Sequence, residues 1–259
     1  PRLVLAAIDQ MSSLKYIQLQ SAGYEGYLRY LRPGVSLLNA AGVHDAGTAE
    51  LAVGLALVAN RHFDRYARNM ATGFWELDFG VSLADRRVLI VGYGHIGKAI
   101  EQRVSAFEVA SITRVASRAR VVDGKAVHGI DELHELLPQA DIVFIICPLT
   151  PDTAGLFDAA AFERMAPGAL LVNVSRGKVV NTDDLLAAVE SGRIRAALDV
   201  TDPEPLPPDH PLWRTPGVFI SPHSGGQCDA MYPRSRKMMA AQLRRLVDGE
   251  PLANVVARG

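Results

Sequence analysis

From Asp85 onward, short β-branched and apolar runs alternate with segments of helical period: RVLIV, HIGKAIEQRVSAF and SITRVA, later DIVFII, ALLVNV, IRAALDV and GVFIS. Alternation of this kind is the signature of parallel strands joined by crossover helices. The strands are apolar throughout, as a sheet covered on both faces requires. After Gly94, residues Ile96, Ile100, Val104 and Phe107 recur at i, i+4, i+8 and i+11 and form one stripe that can lie on the sheet. Asp131 is expected to cap ELHELL, Thr182 to cap DDLLAAVE, and Gly192 to end the latter.

The first 40 residues differ, with brief strands LVLA, YIQLQ and VSLLN and the turn SAGYEG between the last two. TAELAVGLALVANRHFDRYARNM then predicts one long apolar helix, suited to bridging into a second domain and to burial in an oligomer. The chain has no internal repeat or low-complexity tract.

At 259 residues the chain exceeds the usual single domain of about 100 to 200 residues, so two domains are expected. The 27 basic residues nearly balance the 28 acidic ones, which leaves no global field to recruit nucleic acid or an anionic membrane. Cys147 and Cys228 are the only cysteines and form no CxxC pair, against a disulfide framework or thiolate metal site. The run LAVGLALVA falls well short of the roughly 18 residues a membrane span needs. A soluble cytoplasmic protein without a metal is expected. The chain opens at Pro1 inside an apolar run, so its native start is expected to lie earlier.

In VLIVGYGHIGKAI, Gly92, Gly94 and Gly97 form GxGxxG between a strand and an amphipathic helix. The first glycine permits a tight turn, the second admits a pyrophosphate, and the third lets helix and strand pack closely. Such a loop usually leads to an acid about 20 residues on that holds a ribose hydroxyl. Here ITRVASRAR occupies that place, and the nearest acids, Glu108 and Asp123, flank the strand. Arginine can fork onto a 2′-phosphate. Arg118 with Ser117 is the first candidate, Arg114 the second, and Arg120 is expected to be solvated; the competing reading is a solvated basic loop throughout. A charged hydrogen bond contributes about 1.5 to 3 kcal/mol, and about 1.4 kcal/mol is a factor of ten, so one contact can decide between NADP and NAD.

Three strand ends carry ionisable residues: NVSRGKVVN with Arg176, ALDVTDPEP with Asp199 and Glu204, and ISPHSGG with His223. In a doubly wound sheet, ligands lie outside the carboxyl ends of strands, so these residues can converge. They suit carbonyl reduction. A histidinium supplies a proton as hydride arrives, a carboxylate favours and orients the protonated ring, and arginine holds a keto acid by its carboxylate and carbonyl. His44, His62, His95, His128, His134 and His210 lack a partner pattern and read as surface or packing residues.

The segments VGYGHIGKAI, CPLTPDTAGLFD, MAPGALLVNVSRGKVVNTDDLLAAVESGRIRAALDVTDPEPLPPDHPLW and ISPHSGG resemble those of the D-isomer-specific 2-hydroxyacid dehydrogenases. The resemblance runs from LKYIQLQSAG to EPLANVV, and the DVTDPEPLPPDHPLW run is most similar to the glyoxylate and hydroxypyruvate reductases. It implies a doubly wound Rossmann dinucleotide domain, residues 45–224. It also implies a smaller flavodoxin-like substrate domain from residues 1–44 and 225–259, which looks N-terminally incomplete because family members carry a longer portion before LKYIQLQ. By the same match Arg176 binds substrate, His223 is the acid/base and Glu204 its partner. His95, Ile96, Cys147, Pro148, Thr153, Val174, Ser175 and Gly225 line the cofactor, and Asp199 faces the nicotinamide carboxamide. The amides of Ala22 and Gly23 meet the substrate carboxylate. Formate dehydrogenases share the fold but pair the histidine with glutamine, so Glu204 argues against that activity.

The expected protein is therefore an α/β homodimer, paired through the dinucleotide domain, that uses NADP, with NAD second, to reduce a small 2-keto acid such as glyoxylate or hydroxypyruvate to a D-2-hydroxy acid. The alternative is a non-catalytic dinucleotide-sensing protein on the same fold.

Overall fold

A computed structural model describes residues 8–259, and the expected strand LVLA lies outside them. The chain runs through β1 (Tyr16–Gln18), β2 (Ser36–Leu38), α1 (Asp45–Asn60), α2 (Phe63–Met70), β3 (Arg87–Val91) and α3 (His95–Val104). There follow β4 (Ser111–Ala116), β5 (Arg120–Val122), β6 (Lys125–Gly129), α4 (Leu133–Leu136), β7 (Ile142–Ile145), α5 (Ala159–Arg164) and β8 (Leu170–Asn173). The last elements are α6 (Thr182–Glu190), β9 (Arg195–Leu198), β10 (Val218–Ile220), α7 (Met231–Asp248) and β11 (Val255–Arg258). Two compact units result, Pro1–Asp45 with Gln227–Gly259, and Ala46–Gly226.

The smaller unit has a sheet of order β1-β2-β11, parallel between β1 and β2 and antiparallel between β2 and β11. Gln242, buried on α7, donates to Gln18 Oε1 (3.0 Å) and to the Ala253 carbonyl (2.8 Å), and so joins the helix to β1.

The larger unit carries an eight-stranded sheet of order β10-β9-β8-β7-β3-β4-β6-β5, parallel except for the β5–β6 pair. Its apolar runs serve two cores: Leu89, Val91, Val143, Ile145 and Leu171 enter one, while Val88, Ile90, Ile142, Phe144, Leu170 and Val172 enter the other. Strand order reverses at β3, with β4 on one side and β7 on the other, which sets a ligand crevice at the carboxyl ends of β3 and β7.

Four local expectations are corrected. The single long helix is two, because His62 takes a left-handed backbone (φ 57°) between α1 and α2. The end of α1 is fixed there by Arg195, which donates to Ala59 O (3.2 Å) and Asn60 Oδ1 (2.8 Å). Asn181, not Thr182, caps α6: its Oδ1 accepts from Asp183 N (3.1 Å) and Asp184 N (3.2 Å), while the Thr182 hydroxyl donates to Asp202 O. Ahead of α4, Glu132 rather than Asp131 closes the turn by accepting from Gly129 N (2.9 Å). Arg120 and its neighbours form a hairpin, β5–β6, turned at Asp123 (φ 51°) and Gly124 (φ 75°), the geometry an Asp-Gly pair favours.

Candidate active site

The glycine loop is built by close packing at the crevice. Gly92 (φ 112°) touches the β7 end so tightly that a Cβ would collide with Ile146 and Cys147 N, and a Cβ on Gly97 would strike Gly92 O. At Gly94, the N-cap of α3, a Cβ would meet open space, and no side chain caps the helix. An open, uncapped helix N-terminus suits a pyrophosphate. Burial pushes the Cys147 thiol, just past the end of β7, up to about 11, so it stays protonated. Thr153 Oγ1 donates to Pro148 O (2.7 Å) and accepts from Thr150 N (2.8 Å), which closes the loop after β7. His95 is exposed at the first turn of α3, with Ile96 half-buried beside it.

At the end of β4, Ser117 and Arg118 are both exposed. Arg114 is not available to a phosphate, which corrects its candidacy. It points under α3, where its guanidinium forks onto Glu101 (Nη2 to Oε1 2.7 Å, Nε to Oε2 2.7 Å). Nor is Arg120 simply solvated, since its Nη2 donates to the Tyr93 carbonyl of the glycine loop (3.0 Å).

Arg176 follows β8 through the buried residues Val174 and Ser175. Asn173, which sequence reasoning passed over, ties this turn: its Oδ1 accepts from Ser175 N (3.0 Å) and Oγ (2.9 Å), and its Nδ2 donates to Arg176 O (3.1 Å). Gly177 packs on the Thr201 carbonyl, which sets the Arg176 turn against the segment leading to Glu204.

His223 has a left-handed backbone (φ 53°), and its Nδ1 meets Glu204 Oε1 at 2.6 Å. The loop that presents it winds around Asp199, which is 2% exposed. The Asp199 carboxylate accepts from Ser221 Oγ (2.5 Å), Ser224 N (2.8 Å) and Gly225 N (2.9 Å), and its carbonyl accepts from His223 N (2.8 Å). Asp199 is thus already the anchor of the histidine loop.

In the smaller unit the Ala22–Gly23 turn is held by its carbonyls, Ala22 O accepting from Asn39 Nδ2 (2.7 Å) and Gly23 O from the Ser21 hydroxyl (2.8 Å). Among the described residues no group of three His, Cys, Asp or Glu side chains is placed to hold a metal, and no helix is long and apolar enough to cross a membrane.

A glycine loop at the switch point of a doubly wound sheet, with arginine, glutamate and histidine on neighbouring strand ends, defines a nicotinamide-dinucleotide fold. Residues 53–225 match the NAD binding domain of the D-isomer specific 2-hydroxyacid dehydrogenases, and the chain belongs to that family. It is 36% identical over 215 residues to the glyoxylate reductase/hydroxypyruvate reductase of Mus musculus, covering 80% of this chain and 65% of that one. A D-isomer specific 2-hydroxyacid dehydrogenase family protein from Aeromonas salmonicida superposes with a TM-score of 0.88 at 30% identity, over 97% of this chain and 81% of that one. An NADPH-dependent glyoxylate/hydroxypyruvate reductase from Sinorhizobium meliloti, solved with NADP and sulfate, gives 0.83 at 27% identity, over 96% and 82%.

Proposed function

We propose that this protein reduces a small 2-keto acid to the D-2-hydroxy acid with NADPH, with glyoxylate or hydroxypyruvate as substrate. The observation that carries the reading is the 2.6 Å bond between His223 Nδ1 and Glu204 Oε1, with the Arg176 turn packed against the segment that brings Glu204. Glu204 fixes the ring through Nδ1, which leaves Nε2–H as the proton donor. Arg176 holds the keto acid by its carboxylate and carbonyl, so the oxygen that gains charge lies in reach of that proton. When bound, the dinucleotide supplies the hydride to the carbonyl carbon. His223 protonates the oxygen in the same step, an effect of about 10² to 10⁴ in rate.

Gly92, Gly94 and Gly97 would cradle the pyrophosphate, with His95, Ile96, Cys147, Pro148, Thr153, Val174, Ser175 and Gly225 along the cofactor. Ser117 and Arg118, exposed where the ribose acid is absent, would take the 2′-phosphate. The NADPH-dependent reductase from Sinorhizobium meliloti supports that choice. In the dinucleotide unit, Phe63, Met70, Phe74, Trp75, Leu77 and Phe79 are exposed on α2 and the segment after it, which supports pairing with a second copy there.

A panel of 2-keto acids assayed with NADPH and NADH tests the reading. Turnover of glyoxylate or hydroxypyruvate with NADPH is expected, abolished in His223→Asn while NADPH still binds. Tight NADPH binding with no turnover of any keto acid would point to a sensing protein instead, and near-normal rates in His223→Asn would remove the acid/base assignment.

A further inference from the structure

One charged cluster in the dinucleotide unit lies outside the catalytic residues and takes no part in the reaction described above. Its centre is Glu101 on the sheet-facing side of α3, with a side chain only 6% exposed. Besides the Arg114 fork from β4, it accepts from Lys125 Nζ of β6 (2.5 Å) and from the Tyr93 hydroxyl of the glycine loop (2.5 Å). The Arg114 guanidinium also lies 5.7 Å from the centre of the Tyr93 ring. One buried carboxylate therefore gathers the glycine loop, β4 and β6.

Two more contacts act in the same sense. Lys98 of α3 pairs with Asp123 at the hairpin turn (2.9 Å), and Arg120 of β5 donates to the Tyr93 carbonyl (3.0 Å). Residues 117–119 are exposed and span the gap between β4, fixed through Arg114, and β5, fixed through Arg120. Their position relative to the glycine loop is set at both ends by this cluster.

We propose that Glu101 is a positioning residue for cofactor choice: by holding β4 and the β5–β6 hairpin against the glycine loop, it places Ser117 and Arg118 where a 2′-phosphate arrives. It does so without touching the cofactor. The proposal rests on the NADPH reading above, and it has a definite sign. Arg114 and Lys125 outnumber Glu101 in the cluster, so a role through the electric field alone would make loss of the carboxylate tighten NADPH. Positioning demands the reverse.

The test is fluorescence titration of the full chain with NADPH and with NADH, alongside kcat at saturating cofactor. Glu101→Gln is expected to raise the NADPH dissociation constant about tenfold, the worth of one charged hydrogen bond. The NADH constant and kcat should stay within about twofold. Glu101→Leu/Arg114→Met removes the ion pair in favour of apolar packing, an exchange that buried pairs often tolerate without loss of stability, and it should show the same selective loss. Equal changes for both cofactors, no change, or tighter NADPH would overturn the proposal. Arg118→Ala, titrated in parallel, reports on the phosphate site itself. If it weakens NADPH while the Glu101 variants do not, the site reading stands and the positioning role falls. If Arg118→Ala leaves the preference intact, the site reading falls and this proposal with it.

Discussion

His223 owes its position to backbone geometry as much as to Glu204. Its left-handed φ is maintained because the carbonyl of Asp199 takes its N–H while the carboxylate takes three neighbours, Ser221, Ser224 and Gly225. Ser221→Ala removes one charged hydrogen bond from this anchor and leaves Asp199 in place. A fall in kcat of about tenfold is expected, with NADPH binding within about twofold by fluorescence titration. An unchanged kcat would mean that the remaining bonds suffice to hold the loop. Residues of this kind were legible to different degrees. Arg176, Glu204 and His223 stood out because they follow apolar strands in a row, whereas Arg114 was misassigned because spacing locates a residue on a strand and says nothing about which face its side chain takes. Asn173 gave no signal, since an asparagine at a strand end reads as an ordinary turn residue.

At the level of elements, Glu101 carries the clearest pH signature. The forked Arg114 bond, aided by Lys125 and the Tyr93 hydroxyl and opposed by burial, holds its carboxyl at about 2, against an ordinary 4.5. A lowered folded-state value stabilises the protein above the unfolded value, and the benefit is lost as pH falls from about 4.5 through 2, for roughly 3 kcal/mol in all. Urea midpoints of the wild type and Glu101→Gln should therefore lie far apart at pH 7 and converge toward pH 3; a constant gap would show that the ion pair does not drive the difference. Glu101 was passed over in the sequence, although an acid at i+5 from Ile96, beside the apolar stripe of α3, is a signal that a cation lies opposite. The Asp-Gly pair that turns the β5–β6 hairpin was a readable signal of the same kind, but the hairpin was not expected from it. The split between α1 and α2 was not, because it depends on Arg195, far along the chain, fixing the end of α1.

For the whole molecule, the alternating pattern from Asp85 onward gave the parallel sheet and its crossovers, while the three-stranded sheet of the smaller unit was harder to read because β11 is short and isolated at the chain end. Assembly is the property the pattern leaves to surface chemistry. The segment after α2 is anchored through Asp78, which accepts from Arg65 and His62, yet Trp75 and Phe79 stay 94% and 93% exposed on it. Trp75→Glu is expected to convert a dimer to a monomer in light scattering, with the dinucleotide still bound; a wild type that elutes as a monomer would remove the pairing. The pairing proposed through this segment would be visible to a protease. The segment's backbone forms neither helix nor strand from residue 74 to 80, and it offers chymotrypsin two large aromatic side chains. Nicking after Trp75 or Phe79 should therefore be fast in dilute protein and slow as concentration rises, so that the rate of cleavage counts the chains that stand alone.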